Sequence, residues 1–252
     1  MTESDRGYML PLNLPQDPTA VLKVLCLGAH SDDIEIGCGG TILQLLARYS
    51  NLEVFWTVFS SGREREREAR ASAALFLKQA KRKKEVIVKN FRDGFFPYEG
   101  TKIKEFFEEI KKQVNPDLIF THYRDDRHQD HRTISDLTWN TWRQHLILEY
   151  EIPKYDGDLG TPNCFVPLKK EICVRKIKYI CDVFQTQSNK AWLTEDTFQA
   201  ILRLRGVECS APDKYAEAFY CRKLVLGTEH RPPRRRAPRG GGTSSQAGSG
   251  HD

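Results

Sequence analysis

The sequence predicts an α/β fold: a doubly wound, mostly parallel sheet with helices on both faces. Three observations predict it. Short apolar runs recur through the first half of the 252-residue chain. Longer amphipathic segments of helical period lie between them. The order is strand, helix, strand, helix, which makes each connection a βαβ crossover.

The elements follow in order. Residues 21–28 (VLKVLCLG) read as a buried strand, rich in Val and Leu and closed by a glycine. Residues 41–49 (TILQLLARY) have helical spacing, and 52–59 (LEVFWTVF) form a second strand. Residues 64–84 are helical and heavily charged, with Ala71, Ala74, Leu75 and Leu77 as the expected apolar side. Residues 86–88 give a short third strand. Residues 101–114 (TKIKEFFEEIKKQV) align Ile103, Phe106, Phe107 and Ile110 on one helical face. A fourth strand, 118–121 (LIFT), follows Asn115-Pro116-Asp117. The expected division is a lead over 1–20, one domain over 21–228 and an Arg/Pro/Gly-rich tail over 229–252.

Composition narrows the classes. With 39% hydrophobic and 29% charged residues, the chain is too apolar to be disordered and too polar for a membrane bundle. Lys23 interrupts the most apolar run, so no stretch reaches the ~18 apolar residues of a membrane span. The polar start, Met1 to Arg6, lacks the apolar core of a signal peptide. Seven cysteines form no C-x-x-C pair and read as reduced, mostly buried thiols of a cytoplasmic protein. The net charge is +5, but Arg231, Arg234, Arg235, Arg236 and Arg239, against Asp252, leave only +1 elsewhere. That distribution argues against nucleic acid and for a solvated tail. A homo-oligomer stays open.

In a doubly wound sheet, chemistry sits beyond the carboxyl ends of the strands. After the first strand comes Ala29-His30-Ser31-Asp32-Asp33-Ile34-Glu35, then Gly37-Cys38-Gly39-Gly40. After the fourth comes Thr121-His122-Tyr123-Arg124-Asp125-Asp126-Arg127-His128-Gln129-Asp130-His131. A His and an Asp three residues apart at one strand exit, joined by a His from the other, make a three-ligand catalytic zinc site with a free position. Two imidazoles and one carboxylate favour zinc, with iron, cobalt and nickel as other possibilities. Helix capping by Asp32-Asp33 and a solvated ion-paired loop at 124–127 are the bland alternatives. The dinucleotide fingerprint, the phosphate loop and the serine-hydrolase elbow are all absent.

These residues also resemble a known family. Ala29-His30-Ser31-Asp32-Asp33-Ile34-Glu35 is similar to the A-H-[PAS]-D-D-x-E signature of PIG-L/LmbE-type zinc-dependent N-deacetylases. Asp126-Arg127-His128-Gln129-Asp130-His131 resembles the second motif, H-P-D-H, with Gln129 in place of Pro. Arg65-Glu66-Arg67-Glu68-Ala69 and Tyr215-Ala216-Glu217-Ala218-Phe219 resemble the R-x-x-E-A and Y-A-E-x-F elements, and Thr186-Gln187 stands where an S-Q pair is usual. The resemblance implies a Rossmann-like fold and hydrolytic removal of acetyl from an N-acetylglucosamine-type glycoside or sugar nucleotide. It implies His30, Asp33 and His131 as Zn2+ ligands, Asp32 as general base and His128 as oxyanion stabiliser. Asp130 would orient His128, and Arg65 and Asp93 would contact substrate. A zinc amidase acting on a non-acetyl amide and a non-catalytic carbohydrate-binding module are the other open readings. Trp139, Trp142, Tyr150 and Tyr155 divide evenly between a sugar-facing wall and core packing.

Overall fold

A computed structural model describes residues 11–226. Seven strands form one sheet in the order β3-β2-β1-β4-β5-β7-β6. They are β1 (Leu22–Gly28), β2 (Leu52–Val58), β3 (Lys84–Val88), β4 (Leu118–His122), β5 (Leu146–Tyr150), β6 (Cys164–Leu168) and β7 (Tyr215–Cys221). The first five pair in parallel, and β7 runs antiparallel between β5 and β6. The sheet is therefore the mostly parallel α/β arrangement expected. Its chain order reverses at β1, which pairs with β2 on one side and β4 on the other.

Alternation along the strands sorts the core into two layers. Val24, Cys26, Trp56 and Phe120 pack with α1 (Asp33–Arg48), α2 (Arg63–Phe76), α5 (Lys170–Val183) and α6 (Glu195–Glu208). Leu25, Leu27, Phe55 and Ile119 face the other way, onto α3 (Gly100–Gln113) and α4 (Gln129–Thr141). Ile103, Phe106, Phe107 and Ile110 are the buried stripe of α3, as their spacing predicts.

Two helices differ from the expectation. α1 begins eight residues earlier, because its polar first turn is folded into the protein rather than left as a loop. α2 stops at Phe76, before the run Lys78 to Lys84 in which only Ala80 packs against the core, and its buried residues are Ala69, Ser72, Ala73 and Phe76. Ala71 and Ala74, expected on the inner side, are exposed. No described helix is long and apolar enough to cross a membrane. The expected tail over 229–252 lies outside the described residues.

Candidate metal and catalytic site

The point where the chain order reverses brings the ends of β1 and β4 together. β1 turns straight into α1 at Gly28, where a Cβ would lie 2.8 Å from Ile34 Cγ1. The turn is closed by Asp33, whose carboxylate accepts the backbone N–H of His30 at 2.6 Å. Across the gap, His128 is the N-cap of α4, and Asp130 and His131 occupy that helix's first turn.

His30, Asp33 and His131 converge. His30 Nδ1 lies 3.2 Å from His131 Nε2 and 3.4 Å from Asp33 Oδ2, while His131 Nε2 lies 3.5 Å from Asp33 Oδ1. Donors at ~2.0–2.1 Å from a tetrahedral ion stand about 3.3 Å apart; the two imidazole nitrogens have that spacing, while Asp33 faces His30 with Oδ2 and His131 with Oδ1. The second ring nitrogens fit the same purpose. His30 Nε2 faces Asp93 Oδ1 at 3.1 Å and Asp130 Oδ2 at 3.3 Å. His131 Nδ1 faces Asp126 Oδ2 at 2.9 Å, and Lys154 holds that oxygen from the far side at 3.0 Å. Carboxylates on the outer nitrogen fix the tautomer and orientation of a ligating imidazole.

Asp32 is separate from this triangle. It sits at the N-cap of α1 but makes no side-chain cap. Its Oδ1 accepts from Arg65 at 3.1 Å, and its Oδ2 is buried with no partner among the described residues. Arg65 also reaches Asp93, at 3.6 Å, which links both expected substrate contacts to the same rim. It does not pair with Glu64 or Glu68. Glu68 instead takes the backbone and hydroxyl of Thr186.

The two neighbouring carboxyls are pushed apart electrostatically. Burial raises the Asp32 pKa, helped by the Asp33 charge and only partly offset by Arg65 and His30. Burial acts on Asp33 in the same direction, but the charges of His131 and His122, with hydrogen bonds from His122 and His30, hold it well below the usual range. Burial lowers His131 to about 4, and the His122 charge adds to this. His30 goes the other way: burial opposes its charge, yet Asp130, Asp33 and Asp93 hold its pKa well above normal.

One expected pairing is corrected. Asp130 does not hydrogen-bond His128 through its carboxylate. That group accepts from Gly94 N at 2.6 Å and Phe96 N at 3.1 Å and faces His30. It is the Asp130 backbone N–H that donates to His128 Nδ1, at 3.2 Å. The reason is the 94–96 loop, which passes beside α4 and claims the carboxylate; Gln129 donates to Gly94 O at the same place.

Sequence reasoning assigned no role to Asp126 or His122. Asp126 holds the outer nitrogen of His131 and also caps the His128 N–H at 2.8 Å. His122, fully buried at the end of β4, stacks on His131 with centroids 3.9 Å apart. It makes a possible donor set with Asp33 and His131, beside one of His30, His128 and His131 and one of His30, Asp93, His128 and Asp130, but its Nε2 already meets the Ala29 N–H at 2.9 Å. Their position in the second cluster was the only signal for either. Among the aromatics, Trp142 and Tyr150 belong to the core, while Tyr155 is exposed.

Residues 25–142 match the family described as "PIG-L: GlcNAc-PI de-N-acetylase", the family that the motifs of this chain resemble. The Escherichia coli (strain K12) protein named "Uncharacterized deacetylase YaiS" is 29% identical over 141 residues, 52% of this chain and 74% of that protein. In structure, the chain resembles N,N'-diacetylchitobiose deacetylase from Pyrococcus horikoshii with a TM-score of 0.61 and 23% identity, over 78% of this chain and 82% of the other. It equally resembles GalB, the 4-carboxy-2-hydroxymuconate hydratase of Pseudomonas putida KT2440, with a TM-score of 0.66 and 16% identity, over 84% and 100%. Since a deacetylase and a hydratase share the fold, the fold does not name the reaction.

Proposed function

We propose that the protein is a metal-dependent N-deacetylase that hydrolyses the acetamide of an N-acetylated amino sugar. The observation that carries this reading is the division of labour between adjacent carboxyls. Asp33 lies in the donor triangle with His30 and His131, and Asp32 presents a bare buried oxygen beside it. The family match and the two deacetylase relatives support the choice of reaction.

His30, Asp33 and His131 would hold the ion, and two imidazoles with one carboxylate favour Zn2+. The metal would supply a Lewis acid and a water acidic enough to react at neutral pH. The chain's own groups do the rest. Asp32 Oδ2, without a partner among the described residues, takes the proton of the attacking water and returns it to the departing amine. Arg65 steadies the opposite oxygen, so the free lone pair keeps its direction. His128 has Nδ1 engaged by the Asp130 amide, which leaves Nε2–H as the donor to the developing oxyanion. Asp130 acts on His30 rather than on His128. Asp93, the most exposed member of the cluster, and Arg65 stand at the rim where sugar hydroxyls would bind.

The test is acid release from a panel of N-acetylglucosamine derivatives by zinc-loaded protein. Acetate with one-to-one free amine supports the proposal. Release of a different acid from a matching amide makes the protein a related amidase, and no hydrolysis of any amide overturns it.

A further inference from the structure

The Tyr215-Ala216-Glu217-Ala218-Phe219 element has no part in the chemistry above, yet its glutamate is one of the most completely enclosed charges in the molecule. Glu217 pairs with Lys176 at 2.6 Å, both side chains 2% exposed. Its Oε1 accepts the Gly40 N–H at 2.7 Å. Its Oε2 accepts the Thr41 N–H at 2.7 Å and the Thr41 hydroxyl at 2.6 Å. Lys176 Nζ in turn donates to the Ile36 carbonyl at 2.6 Å.

All three backbone groups lie inside α1. In a regular α-helix the Gly40 N–H would bond the Ile36 carbonyl. Here each end of that bond also has a charged partner, and charge-assisted bonds are stronger than neutral ones. The ion pair thus grips the side of an unbroken helix, Asp33–Arg48, close behind the front turn that carries Asp33. The packing at this point is equally tight. A Cβ at Gly40 would lie 2.9 Å from Glu217 Oε1, and one at Gly37 would lie 2.2 Å from the Tyr150 ring.

We propose that Lys176 and Glu217 are positioning residues that anchor the front turn of α1 and so set where Asp33 meets His30 and His131. This rests on the metal reading above. Stability alone does not account for the pair, because a buried ion pair seldom outperforms apolar residues of the same size. Its contacts converge within eight residues of Asp33 and tie together α1, α5 and β7, which meet nowhere else through charge among the described residues.

The experiment compares two double variants. Lys176→Met/Glu217→Gln removes this pair. Glu151→Gln/Arg205→Met removes a second buried pair, bonded at 2.7 Å, whose hydrogen bonds reach Glu208 and the Gly160 carbonyl but not α1. Each is measured for melting temperature, for hydrogen exchange of the peptide spanning 33–41, and for cobalt(II) affinity by absorption. The proposal expects exchange in 33–41 to rise at least tenfold more in the first variant than in the control at matched melting temperature. It expects cobalt affinity to fall about tenfold in the first variant and stay within twofold in the control. Equal exchange in the two variants overturns it, as does unchanged cobalt affinity. If the wild type binds no cobalt, the metal reading fails, and the exchange result alone decides the anchoring role. If the first variant does not fold, Lys176→Gln/Glu217→Gln, which keeps hydrogen-bonding groups at both positions, is read by the same criteria.

Discussion

Two sets of buried charges lie within a few residues of each other, and they are built on opposite plans. In the interior set, every group is matched. Glu217 uses both oxygens on α1 and Lys176. Arg205 meets Glu151 through two parallel bonds and gives further donors to Glu208 and the Gly160 carbonyl. In the crevice set, the matching fails. Asp32 Oδ2 and His122 Nδ1 are buried without partners among the described residues, and two imidazoles stack face to face. Unsatisfied buried polar groups are costly and normally rare. Where they cluster, the fold is tolerating a local conflict, and such conflicts gather at functional sites. Bare buried groups occur elsewhere too, as at Glu35 in α1, but those at Asp32 and His122 adjoin the crevice cluster of imidazoles and carboxylates.

The largest expected effect breaks that contrast at its centre. Asp33→Ala removes a donor from the triangle and is expected to abolish tight metal binding and, with it, turnover. Asp32→Asn keeps size and hydrogen bonding but removes basicity. It is expected to retain the metal while turnover falls roughly 10²–10⁴-fold, the usual contribution of a positioned general base. Metal content and turnover are measured together on both variants. Loss of metal from Asp32→Asn with retention in Asp33→Ala would reverse the two roles.

Next in size is the matched set. Arg205→Met strands the Glu151 carboxylate in the interior, where burial already raises its pKa and Arg205 offsets that rise. Stranding one partner of a buried pair costs about 3–5 kcal/mol, whereas exchanging both for apolar residues is often neutral. Denaturant unfolding is therefore expected to show a large loss for Arg205→Met and recovery of most of it in Arg205→Met/Glu151→Leu. A single variant as stable as the wild type would show that this pair is not the matched structural device described here.

The same contrast explains what could be read from sequence. His30 and Asp33 are one turn apart, so their convergence needs only local geometry. Two clusters at the exits of β1 and β4 follow from the crossover rule once those strands are recognised. Roles that depend on distant chain segments were not legible. The partner of Asp130 is decided by where residues 94–96 pass, and the outer contact of His131 by Asp126 and Lys154. The second half hid its elements because charges occupy core positions. Lys176 interrupts the apolar stripe of α5, and Glu149 sits fully buried in β5 among Arg222, Trp139 and the Arg124 N–H. A charge in a stripe reads as surface until its partner, dozens of residues away, is seen.

The smallest expected effect is a pH profile that separates His30 and His131, the two histidines of the proposed metal site, in metal-free protein. His131 titrates near 4 in the folded chain and near its ordinary 6.5 when unfolded. Above pH 6.5 both states hold it neutral. As the pH falls from 6.5 through 4, the unfolded chain takes up a proton that the folded site refuses, and stability drops by about 3 kcal/mol. His30 has the opposite sign, since its folded pKa is raised. Its contribution is complete below pH 6.5 and is lost as the pH rises through the folded value. Together they place a stability maximum for the site close to pH 6.5. Asp33, held well below the usual range, adds a further loss only under stronger acid. Denaturant unfolding of chelator-treated protein across this range is expected to show both limbs. His131→Asn flattens the acid limb and leaves the alkaline one, and His30→Asn does the reverse. An acid limb of unchanged slope in His131→Asn would mean that the proton goes elsewhere, and that the stacked pair with His122 is not the source of the conflict in the crevice.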